Sequence, residues 1–145
     1  MKRIMFVCHG NICRSPMAEG LFRKMLEDKK INSIECSSAG LFAMTGDEPS
    51  INAVKACERF ATDISAHRAR RITAYILDET DKFVCMTKEH AASLSMYVPS
   101  EKILVLGNGV PDPYGGNLEE YIICANSIKN ALETQFESII AEDNQ

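Results

Sequence analysis

The segment Ile4-Met5-Phe6-Val7-Cys8-His9-Gly10-Asn11-Ile12-Cys13-Arg14-Ser15-Pro16 constrains this chain more than any other. Its four leading apolar residues read as a short buried strand. Ser15 and Pro16 suit a helix N-cap and first helical position, so the residues between must form a strand-to-helix turn. A helix N-terminus aims unpaired backbone N–H groups and the positive end of its dipole at such a turn. Both effects favour a bound anion and a thiolate at Cys8. Arg14 adds a planar, permanently charged fork that can hold two oxygens of a phosphate. Cysteines near a helix start are common by chance; the joint placement of Cys8, Gly10, Asn11, Arg14, Ser15 and Pro16 is not. Structural zinc is disfavoured, because Cys8, His9 and Cys13 lack the paired ligand spacing and no second CxxC or HxxxH follows.

Composition sets the outer bounds. A chain of 145 residues corresponds to one domain, here taken as 1–145, large enough for a real core. Net charge −4 with 25% charged and 46% apolar residues describes a soluble globular domain. It argues against a nucleic-acid binder or a polybasic membrane-surface protein, so any anion site must be local. Met1-Lys2-Arg3 precedes too short an apolar run for a signal peptide, and no stretch approaches transmembrane length. A cytoplasmic protein with free thiols is therefore expected. Cys36, Cys57, Cys85 and Cys124 lie within apolar patterns, which predicts burial.

Periodicity places the remaining elements. Ala18, Leu21, Phe22, Met25 and Leu26 recur at helical spacing and predict an amphipathic helix from Ser15 to about Lys29. Strands are expected at Ile34–Ser38, Phe83–Met86 and Ile103–Leu106. A helix is expected after Pro49 through Ile51, Val54 and Cys57, another around Lys88–Leu94. One long helix should carry Leu118, Tyr121, Ile122, Ala125, Ile128, Leu132, Phe136 and Ile139 on a single face. Alternating strands and helices imply an α/β domain with a parallel sheet covered on both faces. A four-stranded, flavodoxin-like order 2-1-3-4 is the expected topology. It brings the Cys8 loop, the Ser38 loop and the loop after Leu106 together at the carboxyl ends of the strands, where such sheets bind ligands.

The run CxGNxCRSPxAE after an N-terminal strand resembles the signature of the low-molecular-weight protein tyrosine phosphatases. Ser38-Ala39-Gly40, the run Asp63 to Arg70 and Val110-Pro111-Asp112-Pro113-Tyr114 fall where that family has comparable pieces, so the likeness covers essentially the whole chain. The resemblance implies hydrolysis of phosphotyrosine in proteins, or of small aryl phosphates, through a cysteinyl-phosphate, with no metal or organic cofactor. Cys8 is then the nucleophile. Arg14 and the loop from His9 through Gly10, Asn11, Ile12 and Cys13 to Ser15 hold the phosphate. Asp112, stiffened between two prolines, is the general acid, although Pro-Asp-Pro also forms turns without any catalytic role. Asn11, Ser15, Ser38 and His67 resemble residues that support the loop and the thiolate, and Asn tolerates left-handed backbone. Ile12, Phe42, Met44 and Tyr114 are candidate substrate walls. His90 carries no functional expectation. Cys13 beside Cys8 suggests a redox pair, in which a sulfenic acid on Cys8 is trapped as a reversible disulfide.

Three positions depart from the family pattern: Met44 stands where many members carry a tryptophan or tyrosine, Thr87 where some have aspartate, and Gly115 where a second aromatic is frequent. These touch peptide preference more than catalysis. Protein-arginine phosphatases resemble the chain too but carry threonine at the position of Ile12, which here favours an aryl group. Arsenate reductases need a relay of two further cysteines, and Cys85 lies in a predicted strand with no partner until Cys124. A cysteine phosphocarrier or a phosphopeptide-binding module remains as a different class, though neither needs the acid Asp112. A monomer, or a weak homodimer through Tyr114 and the pocket rim, is expected.

Overall fold

Successive residues of the first strand serve two different cores. Ile4, Phe6 and Cys8 join the larger one and Met5 and Val7 the smaller, as the two-residue period of a strand requires. A strand buried on both faces reads as a continuous apolar run, which is how this one appeared in the sequence. The computed structural model describes residues 1–142. In chain order the elements are β1 (Lys2–Cys8), α1 (Arg14–Asp28), β2 (Ile34–Gly40), α2 (Ile51–Glu58), α3 (Ala74–Glu79), β3 (Lys82–Cys85), α4 (Lys88–Leu94), β4 (Ile103–Val105), α5 (Leu118–Thr134) and α6 (Phe136–Ile140).

The strands form one parallel sheet in the order β2-β1-β3-β4, as expected. On one face α1, α2, α5 and α6 close the larger core. Phe22 packs edge-on against Phe6 at 5.4 Å between ring centroids and tilts against Phe136 at 5.5 Å. The short helices α3 and α4 lie against the smaller core on the other face, around Phe83, Cys85 and Leu94. Cys36, Cys57, Cys85 and Cys124 are all buried and free, as the apolar patterns predicted. Among the described residues no helix is long and apolar enough to cross a membrane.

Three local expectations are corrected. The first helix begins at Arg14, with Cys13 rather than Ser15 in the cap position and no side-chain capping bond. The Ser15 hydroxyl is committed elsewhere, to Cys8 and Asn11. The expected single C-terminal helix is broken at Gln135, whose side chain reaches back to the end of β4. Its Nε2 donates to the Val105 carbonyl at 3.1 Å and its Oε1 accepts from the Gly107 amide at 2.6 Å. The apolar face nevertheless continues through the break, since Phe136 and Ile139 are buried in the same core as Ile128 and Leu132. Helix α3 was not expected at all. It buries none of its residues and starts on a Thr73 cap that accepts from the Ile76 amide, so periodicity had nothing to detect.

Candidate active site

The turn after β1 is held in place from three sides. Leu41 and Phe42 donate their amides to the carbonyls of Cys8 and His9, both at 3.0 Å, and Ser50 donates to Ile12 at 2.9 Å. The close approach requires glycine at position 40: a Cβ there would stand 2.6 Å from the His9 carbonyl oxygen and 3.0 Å from the Asn11 amide nitrogen. From the remaining side, Val110 donates to the Met86 carbonyl at 2.6 Å, which draws the segment containing Asp112 to the same end of the sheet.

Asn11 is the hub of the loop. It is fully buried and adopts φ 58°, the left-handed region that asparagine tolerates better than most residues. Its side-chain oxygen accepts from the Arg70 amide at 2.9 Å, which fixes the orientation of the carboxamide. Its Nδ2 then donates to Ser15 Oγ at 2.8 Å and to Ser38 Oγ at 3.0 Å. Each serine oxygen thus accepts from Asn11 and keeps its own proton to donate. Ser38 donates to Glu19 Oε1 at 2.6 Å, and Ser15 is left to donate to Cys8 Sγ at 2.8 Å. The Asn11 amide also points at Cys8 Sγ, at 3.3 Å. His67 completes the set, its Nε2 2.8 Å from the Asn11 carbonyl and therefore protonated there. Two donors on one sulfur stabilise negative charge on it.

Arg14 is buried, donates from Nη1 to the Val110 carbonyl at 3.0 Å and places Nη2 3.5 Å from Asp112 Oδ2. The other carboxylate oxygen of Asp112 accepts from the Tyr114 amide at 3.1 Å. Asp112 therefore forms the turn that Pro-Asp-Pro suggests and also faces the loop; the two roles coexist. Cys8, His9, Gly10, Asn11, Ile12, Cys13, Arg14, Asp112 and Tyr114 line one cavity of about 190 Å³.

The remaining thiols are poor nucleophiles. Burial pushes Cys36 up to about 11 and Cys57, Cys85 and Cys124 up to about 12. Cys85 belongs to the smaller core and Cys124 to the larger, on opposite faces of the sheet, so they cannot serve as a relay pair. Cys13 faces the Tyr121 hydroxyl at 3.2 Å, and burial raises its thiol above the usual value. His90 sits in the first turn of α4 with a buried Nδ1 that has no hydrogen-bond partner. Burial, then the positive charge of Arg14, push it down to about 4, so it is neutral.

Ile12 and Tyr114 line the cavity among the expected substrate walls. Phe42 and Met44 lie outside that lining: the Phe42 ring tilts against the cavity-lining His9 at 5.1 Å between centroids, and Met44 is exposed in the following loop. Thr87 caps α4 by accepting from the His90 amide at 3.1 Å, a task an aspartate would perform equally. Glu19, Arg70, Val110 and Tyr121 belong to the site's surroundings without having been expected to serve it. Glu19, Arg70 and Val110 stood at the ends of the matched runs, and Tyr121 was expected only on the apolar face of the last helix. Among the described residues no group of three or more His, Cys, Asp or Glu side chains could hold a metal ion.

The chain is similar in sequence and fold to several known proteins. The chain is 30% identical to a protein-arginine-phosphatase of Geobacillus stearothermophilus over 97% of both sequences. It is 35% identical to the low molecular weight phosphotyrosine protein phosphatase of Sus scrofa, over 83% of this chain and 84% of that one. The crystal structure of a low molecular weight protein tyrosine phosphatase from T. tengcongensis superimposes with a TM-score of 0.88 at 34% identity, covering 95% of this chain and 99% of the other. The family of low molecular weight phosphotyrosine protein phosphatases matches residues 3–145, and the chain belongs to it.

Proposed function

We propose that this protein hydrolyses phosphotyrosine in proteins, and aryl phosphates generally, through a cysteinyl-phosphate intermediate. The observation that carries this reading is the convergence of Cys8, Arg14 and Asp112 on one cavity, with two donors aimed at Cys8 Sγ. Cys8 attacks phosphorus in line while the bond to the tyrosyl oxygen breaks and Asp112 gives that oxygen its proton. The Asp112 carboxylate then takes a proton from water, whose oxygen attacks phosphorus. The P–S bond breaks and the leaving thiolate is met by the Ser15 hydroxyl. Arg14 and the loop amides hold the equatorial oxygens throughout. To do so Arg14 exchanges its contact with Asp112 for the phosphate, which frees the carboxyl for the leaving group.

Substrate choice rests on Ile12. Its apolar side chain lines the cavity with Tyr114 and suits an aryl ring, where protein-arginine phosphatases carry threonine. The likeness to the Geobacillus protein keeps phosphoarginine as the second reading. The enzyme in this reading is cytoplasmic, uses no cofactor, acts as a monomer or weak dimer, and is protected from overoxidation by a Cys8–Cys13 disulfide.

Phosphate release from a phosphotyrosine peptide and a phosphoarginine protein, measured side by side near pH 6, tests the assignment. Wild type should act fast on phosphotyrosine, Cys8→Ser not at all, and Asp112→Asn more slowly by roughly 10²–10⁴-fold. Preference for phosphoarginine would remove the argument from Ile12 while sparing the nucleophile. No turnover of either would point to a carrier or a binding module.

A further inference from the structure

The sheet face that carries Met5 and Val7 is covered by α3, α4 and the loops that carry Leu41, Ile72 and Val98, and α3 contributes to it only the partly buried Ile76 and Leu77. Between these helices and the loop after β2 runs a groove of about 480 Å³, walled by Leu41, Ile72 and Leu77 over the buried Leu94. Its rim is apolar and open: Phe42 is 59% exposed, Met96 77% and Tyr97 71%. These exposed apolar side chains gather on one groove rather than lying scattered singly over the surface.

Two observations say what covers it. The groove and the catalytic cavity meet as neighbours at one pair of side chains: Phe42 lines the groove, its ring lies 5.1 Å from that of the cavity-lining His9, and its amide donates to the His9 carbonyl. Its single charged lining residue among the described residues is Arg71, exposed, with its guanidinium 5.9 Å from the centre of the Phe42 ring. We infer that this groove receives the substrate chain beside its phosphorylated residue, taking an apolar side chain between α3 and α4 and an acidic residue against Arg71. An extended chain advances about 3.4 Å per residue, so the four residues on either side of the phosphotyrosine each sweep about 14 Å of surface. The inference rests on the proposed phosphotyrosine reading and makes the enzyme selective for sequence around the phosphate.

The test measures binding and turnover separately. Fluorescent phosphotyrosine peptides with leucine or phenylalanine scanned through the four positions on either side, with and without a neighbouring glutamate, are titrated against Cys8→Ser. The same peptides and p-nitrophenyl phosphate are then assayed with otherwise wild-type enzyme, Met96→Glu, Tyr97→Ser and Arg71→Glu, all changes at exposed residues. Binding should tighten by about tenfold when the apolar residue occupies one favoured position. The ratio of peptide to p-nitrophenyl phosphate kcat/KM should fall by a similar factor in the Met96 and Tyr97 variants, and Arg71→Glu should erase the benefit of the glutamate. Uniform binding of all peptides with unchanged ratios would overturn the groove and leave the phosphatase reading standing. Selective binding without any turnover by wild type would do the reverse.

Discussion

Arg14 Nη2 lies 3.5 Å from Asp112 Oδ2, so the residue expected to clamp phosphate and the residue expected to protonate the leaving group hold each other across the cavity. The Arg14 fork is also tied to the Val110 carbonyl, on the segment that carries Asp112. Arg14 and Asp112 are thereby positioned as one unit, although they are far apart in sequence.

Arg14→Lys keeps the charge but loses the planar fork, and with it simultaneous reach to a phosphate and to Val110. We expect kcat/KM for aryl phosphate to fall by at least roughly 10²-fold, about 2.7 kcal/mol of transition-state stabilisation. Rates within a few-fold of wild type would show that a point charge suffices and that the fork has no special role.

Asn11→Gly separates backbone from side chain. Glycine accepts φ 58° without strain, but removes the donors to Ser15 and Ser38 and the acceptor for Arg70. The variant should fold with reduced stability, by about 1–3 kcal/mol for partners left unsatisfied, and lose most of its activity. Near-normal kcat would mean that left-handed geometry alone shapes the loop.

Cys13→Ser bears on redox protection. Peroxide converts a Cys8 thiolate to sulfenic acid with release of hydroxide; attack by the Cys13 thiol on that sulfur then releases water and leaves a disulfide. Because Cys13 is buried, its thiol raised above the usual value and turned toward Tyr121, this second step should be slow near neutrality and speed up as the pH rises. After prolonged peroxide, wild type should recover activity with dithiothreitol, whereas Cys13→Ser, whose untrapped sulfenic acid is carried on to sulfinic acid by further peroxide, stays inactive. Equal recovery of both proteins would dismiss the pair.

His90 should make the fold acid-sensitive. Burial lowers its pKa from 6.5 to about 4, so below pH 6.5 the unfolded chain takes up a proton that the folded protein refuses until near pH 4. Its contribution to stability is complete above pH 6.5 and is lost as pH falls through that window. Between pH 7 and 5 the loss is on the order of 2 kcal/mol. Urea midpoints at both pH values should show His90→Gln losing less stability on acidification than wild type; parallel losses would contradict it.

Where the determining interaction spans a few residues, the sequence was enough. The strand and the turn from Ile4 to Cys13 and the presence of a helix after them depend on adjacent residues, so the Cys8 loop and Arg14 were legible at once, although the helix begins at Arg14 and not after Ser15. The parallel sheet followed from alternation of elements, and the 2-1-3-4 order from that pattern together with the family likeness. Burial of four cysteines followed from the apolar runs around them. Tertiary structure decided the rest. Whether Ser15 caps its helix or serves Cys8 depends on Asn11 and on which partner each hydroxyl meets after folding. Glu19, Ser38, His67 and Arg70 become one network only when β2 and the loop before α3 pack on the turn, with nothing in their local spacing to announce it. The break at Gln135 is likewise set by a side chain reaching the end of β4. Hydrogen bonds between residues distant in sequence leave no periodic trace, whereas the alternation of apolar residues does.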